Sequence, residues 1–457
     1  MNDLENIKAH LAEAGVRYVF GAYVDVHGVP KSKCVPLAHL EDMAQGSELY
    51  TVGALEGMGE LGPNEDECVG IPDLDALTVL PWDTRYAIAP ANLYLHEEPY
   101  SHDFRRVLQS QIEAAAAMGY RCNMGVEPEL YVLRPQGDDF VPWIGEDVVN
   151  SPTRGYDLET TMLADRFLEP MVDYMNELGW DVYSFDHEGG DGQNEFDFRY
   201  TEALAMADRM VIFRLMAKHV ARTIGCIASF MPKPTQTAFG SGAHLNVSLA
   251  DLQTGHNAFE RRIDEPTTDR RPVEEGYEEV AYQFTAGVLE HADAITAVLA
   301  PTVNSYKRLL PRGLMNEISW APVYRAYGYN NRTLMLRLPV NRRCLEVRIA
   351  DSAANLYLGT ALVLAAGLDG IRRQLKPGDP VNFDTYKVSD EELKSAGILR
   401  LPTTLGEAIA EFESSQFAQT VLGEELHATF VRVKKAEWLE YNTIVTEWER
   451  RQYLRLW

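Results

Sequence analysis

Two glutamates stand two residues apart in Gly125-Val-Glu127-Pro-Glu129-Leu-Tyr131, a segment with the alternation of a β-strand. Because successive strand residues point to opposite faces, the two carboxylates are expected to project from the same face. Pro128 lies between them and predicts a bulge or an edge position, since proline cannot donate to a sheet ladder. Carboxylate oxygens on one face can hold a divalent cation.

Polar side chains recur with the same spacing in other segments. They are His244, Asn246 and Ser248 in one predicted strand, Glu346 and Arg348 in another, and Glu188 and Glu195 across a glycine-rich turn. In each strand the intervening residues are apolar, so the polar groups share one face.

Together these segments supply five glutamates and one histidine, namely Glu127, Glu129, Glu188, Glu195, His244 and Glu346. One such residue alone is usually a solvated acid or a satisfied core histidine, but the whole collection is hard to explain in that way. Buried carboxylates repel one another and lose hydration, so they need cations to remain charged. Oxygen-rich ligands with one imidazole and no thiolate favour Mg²⁺ or Mn²⁺ over zinc.

The charge balance reverses between residues 305 and 350. That segment holds nine basic residues and only two acidic ones, Glu317 and Glu346, a net charge of +7 in a chain of −26. Arginine suits bidentate binding of carboxylates and phosphates, so this segment predicts an anionic substrate and a metal-bound nucleotide. Arg325 and Arg342 are interpreted as surface ion pairs. No GxxxxGK[ST] motif is present, which excludes a P-loop as the nucleotide site.

The 457 residues are 46% hydrophobic and 24% charged, a globular composition. The net charge of −26 repels phosphate backbones, so no nucleic-acid partner is expected. Five scattered cysteines without a CxxC pair indicate neither a disulfide framework nor a zinc-thiolate site, and a reducing compartment fits best. The charged N-terminus and the lack of a long apolar stretch predict no signal peptide and no membrane partner. A cytoplasmic protein is therefore expected.

The pattern of elements indicates an α+β protein. The first hundred residues show strand and turn signals, including a strand over 16–27, and the likeliest boundary lies between Pro90 and Pro99. We place the domains at 1–98 and 99–457. In the second domain a curved, mostly antiparallel sheet is expected to carry helices on its outside. Predicted helices cover 103–118, 159–178, 202–223, 276–299, 353–374, 404–415 and 424–455, and predicted strands cover 121–133, 180–187, 194–199, 225–231, 242–249, 332–338 and 343–350.

The sequence resembles the glutamine synthetase family. The motifs that carry the resemblance follow the family's order: Val-Glu127-Pro-Glu129, His187-Glu188 with Gly192-Gln193-Asn194-Glu195, Gly240-Ser-Gly-Ala-His244, Asn304-Ser-Tyr-Lys-Arg308, Asn331-Arg332 with Arg337-Leu-Pro, and Leu345-Glu346-Val-Arg348. Agreement at this many ordered points is specific.

The resemblance implies a small N-terminal β-grasp-like domain and a large catalytic domain. It also implies a homo-oligomer, a dodecamer of two stacked hexameric rings, with the active site at a subunit contact. ATP, L-glutamate and an amine would be the substrates. One Mg²⁺ or Mn²⁺ ion would be held by Glu129, Glu188 and Glu195, and the other by Glu127, His244 and Glu346.

The resemblance also implies roles for residues outside the metal set. Gly240, Arg308 and Arg348 would position glutamate, Arg332 and Arg337 would bind the phosphates, with Arg332 catalytic, and Asn246 and Ser248 would lie at the nucleotide. Asp25 from the neighbouring subunit and Tyr156 would line the amine pocket. In an ideal strand Arg332 and Arg337 face opposite ways, so a bulge or an early strand start is required.

Several positions depart from the family pattern. Asn246 stands where a second histidine is usual, Cys344 where an arginine is usual, and Asp186 where another histidine is usual. The flap reads Ser319-Trp320-Ala-Pro, and the insertion before it offers Glu317 as a substitute carboxylate for deprotonating the amine. An aromatic side chain beside the amine pocket would favour an alkyl substituent over bare ammonium.

The flap change makes the sequence most similar to the branch of γ-glutamylmethylamide synthetases, which join glutamate to methylamine. Three alternatives stay open at this point: a glutamine synthetase that uses ammonia, a γ-glutamyl ligase for larger amines, and a non-catalytic family member. A pocket discriminates one methyl group by only about 1–3 kcal/mol, so the sequence does not separate methylamine from ammonia or ethylamine.

Overall fold

A computed structural model describes residues 2–145, 155–261, 276–311 and 320–456. Helices and strands alternate along the chain, and the strands form two separate sheets, so the predicted α+β class is confirmed. The predicted domain boundary at residue 98 falls in the last hairpin of the first sheet and stays a prediction.

The first sheet is built from the N-terminal hundred residues. Within the described residues it has seven strands: β1 Tyr18–Val24, β2 Pro30–Pro36, β3 Leu49–Tyr50, β4 Cys68–Pro72, β5 Thr78–Val79, β6 Tyr86–Leu95 and β7 Glu98–Pro99. Strand β1 pairs antiparallel with β2 and parallel with β6. Two helices accompany this sheet, α1 Asn2–Glu13 and α2 Leu40–Ala44, and neither of them was predicted.

A tight turn joins β1 to β2. The carboxylate of Asp25 accepts the backbone N–H groups of His27 at 2.9 Å and Val29 at 3.0 Å. Gly28 has a φ of 71°, which side-chain-bearing residues adopt only at a cost, so glycine suits this position. The turn residue Asp25 is thus fixed in place by its own hairpin.

The second sheet carries the candidate site. Among the described residues it has eleven strands: β8 Tyr120–Gln136, β9 Asp139–Pro142, β10 Val182–His187, β11 Gln193–Phe198, β12 Thr201–Glu202, β13 Ile227–Ser229, β14 Ala243–Asp251, β15 Tyr324–Tyr329, β16 Leu334–Leu338, β17 Leu345–Val347 and β18 Leu399–Arg400. The main path runs β10-β11-β8-β14-β17-β16-β15-β18, and every pair on it is antiparallel except β15 with β16.

Strand β8 is the central element of this sheet. Its register with β14 runs without a break from Pro128 opposite Ala243 to Tyr120 opposite Asp251. No register shift interrupts this pairing, so the expected bulge at Pro128 is absent. On the other side of β8 the pairing with β11 reaches only as far as Glu129, so Pro128 lies just beyond the end of that ladder. On the β14 side, the N–H of Glu129 donates to the carbonyl of Gly242 at 3.0 Å.

The described helices of this second part are α3 Phe104–Ala117, α4 Leu158–Leu163, α5 Asp165–Glu177, α6 Ala203–Thr223, α7 Glu279–Glu290, α8 Ala292–Leu299, α9 Ser305–Arg308, α10 Leu356–Arg372, α11 Asp390–Ser395, α12 Leu405–Ser414, α13 Gln416–Leu422, α14 Glu424–Thr443 and α15 Glu447–Tyr453. The long helix predicted over 424–455 is interrupted between Thr443 and Glu447, because Thr446 caps a new helix through a capping box.

The apolar helix α10 lies at the centre of the packing. Residues from Leu356 to Leu368 are buried, and the helix follows directly on the strand that carries Glu346. Asn355 caps its first turn and also donates to the carbonyl of Asp25 at 3.2 Å, which ties the N-terminal hairpin to this helix. No helix of the described residues combines the length and apolarity that crossing a bilayer requires.

Helices α7 and α10 cross closely enough that only glycine fits at the contact. A Cβ on Gly287 would lie 2.0 Å from the carbonyl oxygen of Ala366, which is backbone and cannot rotate away. We therefore expect Gly287→Ala to destabilise the protein by about 1–3 kcal/mol, in spite of the better helix propensity of alanine.

A matched control is Gly359→Ala in α10, because the atom its Cβ would meet is a methyl carbon of Leu299, at 2.5 Å. That side chain can move, so the control should lose less stability. Thermal unfolding midpoints of the two variants measure the difference, and equal midpoints would contradict the close helix contact.

Candidate active site

The strand register brings the polar side chains into one band across the second sheet. Glu127 on β8 lies opposite His244 on β14, and Glu129 lies opposite Glu195 on β11. Further along, Glu346 on β17 is opposite both Asn246 and Arg337. Directly paired residues of an antiparallel sheet project from the same face with Cβ atoms about 5 Å apart. The six predicted metal ligands thus lie on neighbouring strands or, for Glu188, directly after β10.

Among the described residues, three groups bring potential ligand atoms within 4.8 Å of one another. They are Glu127 with His244 and Glu346, Glu129 with Glu195 and His244, and Glu188 with Glu195 and Asp186. The first group is the set that the resemblance assigned to one cation. The set assigned to the other cation, Glu129 with Glu188 and Glu195, is distributed over the second and third groups.

A cation fits the space between these groups. A Cβ on Gly242 would come within 2.9 Å of side-chain atoms of His244, Arg308 and Glu129, so this glycine leaves room where three polar side chains converge. Burial, followed by the nearby charge of Arg348, lowers the pKa of His244 to about 4. Its imidazole is therefore neutral at pH 7, the form that coordinates metals. Carboxylate oxygens with one neutral imidazole match the ligand preference of Mg²⁺ and Mn²⁺.

Three carboxylates that form no ion pair with an arginine among the described residues are difficult to ionise. Burial and then repulsion from Glu129 raise the pKa of Glu188 to about 7. The pKa of Glu195 is raised well above its ordinary value, first by burial and then by Glu129. For Asp186, burial and the charge of Glu188 raise the pKa to about 6. These groups hold protons near neutral pH unless a cation replaces them.

Arginine partners favour the charged form of Glu346 and Glu127. Glu346 has no exposed surface and accepts Nη1 of Arg337 at 2.6 Å, and it also accepts Nη1 of Arg348. Burial opposes the charge of Glu346, but the cations around it, Arg348 first, hold its pKa below the ordinary value. Glu127 is partly buried, and its hydrogen bond with His244 and the charge of Arg342 lower its pKa in spite of the burial.

Arg342 was interpreted as a surface ion pair, and that interpretation is wrong. Its Nη2 donates to Oε1 of Glu127 at 2.5 Å, and the side chain of Glu127 is only 12% exposed. Arg325 does form the expected pair, with Asp293 at 2.9 Å. The two arginines look alike in the sequence, and their different partners follow from strand positions that the sequence does not show.

The residues predicted to hold glutamate meet at one side of the band. Arg308 is buried and donates from Nη1 to the carbonyl of Ile349 and from Nη2 to that of Arg348, each at 3.1 Å. A Cβ on Gly240 would lie 2.6 Å from Cγ of Arg308, so this position leaves no room for a side chain. Arg308, Arg348 and Gly240 therefore form one packed unit beside Glu129.

Arg332 and Tyr156 lie near Glu188. Arg332 lies two residues before β16, which begins at Leu334, so Arg332 and Arg337 do not belong to one regular strand and the expected early strand start is not found. The carbonyl of Arg332 accepts Nε of Arg348 at 3.3 Å, and the positive charge of its side chain opposes the rise in the pKa of Glu188. Tyr156 is exposed, and its backbone N–H donates to the carbonyl of His187 at 2.8 Å.

A cavity of about 610 Å³ adjoins the band on the side of β14 and β17. Its lining includes Glu127, Asn246, Ser248, Arg342 and Cys344. Asn246 and Cys344, two departures from the family pattern, contact each other there, with Sγ of Cys344 3.5 Å from Oδ1 of Asn246. The cavity is large enough for a nucleotide beside the proposed cations.

Two predicted catalytic residues are not placed at the site by this single chain. Asp25 is 7% exposed and its carboxylate is occupied by its own turn and by Lys31 Nζ at 2.9 Å. Its predicted role depends on a neighbouring subunit and stays a prediction. Glu317 lies outside the described residues.

Sequence reasoning missed several polar groups of the site. Gln193 is 1% exposed and donates to Oε2 of Glu129 at 2.9 Å and to the carbonyl of Gly240 at 3.2 Å. Asp186 was noted only as a departure, yet it belongs to the third ligand group. Asp351 is fully buried beside Arg308, and burial raises its pKa to about 6. A signal was available for Gln193, which shares its strand face with Glu195 at period two.

The fold and this site define a metal-dependent enzyme in which buried arginines accompany the cation ligands. A family model described as glutamine synthetase, catalytic domain, matches residues 101–453. The chain belongs to the glutamine synthetase family, and it is an ATP-dependent ligase that forms C–N bonds. The resemblance predicted from the motifs is thereby confirmed.

Individual relatives cover nearly the whole chain. A glutamate–methylamine ligase of Methyloversatilis universalis is 36% identical over 445 residues, 97% of each chain. Glutamine synthetase of Rhizobium meliloti is 34% identical over 442 residues, again 97% of each. A solved structure described as a GmaS/ADP complex superposes with a TM-score of 0.87 at 33% identity, covering 98% of this chain and 99% of that one.

The raised pKa values predict pH-dependent cation binding. Below pH 7 the cluster of Glu188, Glu195 and Asp186 carries protons that a cation must displace, so affinity for Mn²⁺ should fall as the pH drops from 8 to 6. Binding at pH 7 should also release protons. Calorimetric titrations in two buffers of different ionisation enthalpy measure both quantities. An affinity that does not change over this range would show that the cluster is already ionised.

Proposed function

We propose that the protein joins the γ-carboxyl of L-glutamate to methylamine, with ATP as the second substrate and Mg²⁺ or Mn²⁺ as the cation. The observation that carries this proposal is the convergence of five glutamates, His244 and the buried Arg308 and Arg348 on one band of the sheet. The similarity to a glutamate–methylamine ligase over 97% of the chain supports the choice of amine.

Each group of side chains has a part in the substrate complex. Glu127, His244 and Glu346 would hold one cation, and Glu129, Glu188 and Glu195 the other. Arg308, Arg348 and Gly240 would bind glutamate, since buried guanidinium groups recognise carboxylates. Arg332 and Arg337 would contact the phosphates, and Asn246 and Ser248 the nucleotide in the adjoining cavity.

A carboxylate is a poor acyl donor, so the reaction needs an activated intermediate. A γ-carboxylate oxygen of glutamate attacks the terminal phosphorus of ATP, the bond to the bridging oxygen breaks, and ADP leaves with that electron pair. Arg332 and Arg337 stabilise the charge spread over the transferring group. The cations that the six ligands would hold would supply further charge neutralisation at the phosphates.

The second half of the reaction transfers the acyl group to the amine. The amine nitrogen attacks the γ-carbonyl carbon of γ-glutamyl phosphate and inorganic phosphate leaves. Methylamine is a cation at neutral pH and must first lose a proton to a nearby carboxylate. Asp25 of a neighbouring subunit and Glu317 are the proposed acceptors, and Tyr156 would line the amine pocket.

The contribution of Asp25 requires an oligomer. We propose the dodecamer of two hexameric rings that the resemblance implies, in which the N-terminal sheet of one subunit reaches the site of the next. The hydrogen bonds that fix Asp25 in its turn also keep it at one defined position on that sheet.

The choice of amine is tested by the rate of ADP release with methylamine, ammonia and ethylamine at saturating glutamate and ATP. We expect the highest kcat/KM for methylamine, with differences of about 10–200-fold at most, because one methyl group contributes only about 1–3 kcal/mol. A clearly higher value for ammonia would make the protein a glutamine synthetase. A preference for larger amines would identify the protein as a γ-glutamyl ligase for such amines.

The metal assignment is tested by Glu188→Gln. Because the pKa of Glu188 is about 7, glutamine resembles the neutral form that the protein already holds, and the fold should tolerate it. Loss of a cation ligand should nevertheless lower kcat by about 100-fold or more.

Glu424→Gln, an exposed change in the first turn of α14, serves as the control and should leave kcat unchanged. An E188Q enzyme with normal kcat and normal Mn²⁺ binding would remove Glu188 from the metal site.

A further inference from the structure

Asn246 stands between a cation ligand and a buried thiol. Its Nδ2 donates to Oε1 of Glu127 at 3.0 Å, and its Oδ1 lies 3.5 Å from Sγ of Cys344. Cys344 is 7% exposed and directly precedes β17, the strand that carries Glu346. All three side chains line the wall of the cavity proposed for the nucleotide.

The two oxygens of Glu127 have different surroundings. Oε1 accepts Nη2 of Arg342 as well as Nδ2 of Asn246, so two donors occupy it. Oε2 lies 3.2 Å from Nδ1 of His244, within the ligand group that also contains Glu346. The carboxylate is therefore held by one oxygen and offers the other to a cation.

This arrangement depends on which way the Asn246 amide points. An asparagine amide has a donor end and an acceptor end of nearly the same shape, and the reversed orientation would place Oδ1 against the carboxylate. A thiol is protonated at neutral pH and donates weakly through S–H. Cys344 can satisfy Oδ1 of Asn246 but cannot accept well from an NH₂ group, which favours the orientation that is seen.

We propose that Cys344 is a positioning residue, which acts through Asn246 to aim Glu127 at the cation. This proposal rests on the proposed function, since it takes Glu127 as a metal ligand. It adds that the thiol, through its contact with Asn246, contributes to the affinity of that site. Deleting the thiol removes one of the two hydrogen bonds that hold the amide and leaves only the bond to Glu127, whereas a hydroxyl in its place keeps the donor.

The test is the affinity of the nucleotide-free protein for Mn²⁺, measured by calorimetry without any turnover. A lost hydrogen bond of this weak kind predicts about threefold weaker binding in Cys344→Ala. Cys344→Ser should bind within a factor of about 1.5 of wild type, because it retains a donor.

Cys122→Ala provides a matched control, since Cys122 is a buried thiol on β8 whose Sγ contact is the backbone carbonyl of Asn123. It should leave Mn²⁺ affinity unchanged. If C344A does not fold, Cys344→Val removes the donor while filling the space.

A double-mutant cycle separates positioning from general damage. Asn246→Ala should weaken Mn²⁺ binding by about tenfold, because it removes a hydrogen bond to a charged group. In that background C344A should have no further effect. Wild-type affinity in C344A, or an undiminished effect of C344A beside N246A, would overturn the proposal while leaving the metal site intact. A wild-type protein that binds no Mn²⁺ would instead overturn the metal assignment of the proposed function and this proposal with it.

Discussion

Negative charge is crowded on one buried face of the second sheet, and the rest of the site depends on how that charge is balanced. Glu346 has no exposed surface and is paired with Arg337 and Arg348. Glu188 and Glu195 form no such ion pair within the described parts of the chain, and burial followed by repulsion from Glu129 raises their pKa values. Either bound protons or bound cations can neutralise the carboxylates on this face. The exchange of protons for cations is the basis of the proposed metal binding.

The sheet holds the opposing charges close together, because strand pairing fixes the positions of the side chains without relying on loops. Antiparallel register places Glu127 against His244 and Glu129 against Glu195, with a precision that comes from the backbone ladder. Two glycines leave room among these polar side chains. Gly242 leaves an open point among His244, Arg308 and Glu129, and Gly240 lets Arg308 pack against the backbone. The proposed cation ligands and the arginines proposed to bind glutamate are thus fixed by the fold itself, which would favour electrostatic stabilisation of a phosphoryl transfer.

The two ends of the site differ in how tightly their polar groups are packed. Toward Arg308 the polar groups are buried and bonded to backbone carbonyls, as suits a small substrate that must be held in one pose. Toward β14 and β17 a cavity of about 610 Å³ opens beside Asn246 and Cys344, as suits a larger nucleotide. Carboxylates and arginines lie between the two ends, where the phosphoryl group would pass. This arrangement accounts for a ligase that must bring two anionic substrates together.

The sequence by itself determined the fold class and the family and predicted the candidate ligand set, because period-two spacing in strands and ordered motifs are local properties of the chain. It also indicated most helices and strands to within a few residues. It could not determine the register between β8 and β14, so it could not show that β8 is a central strand without a bulge at Pro128. Nor could it place Arg342 on Glu127, 215 residues earlier in the chain, or bring Cys344 to Asn246. Those contacts follow from which strands become neighbours, and only the packed tertiary structure decides that.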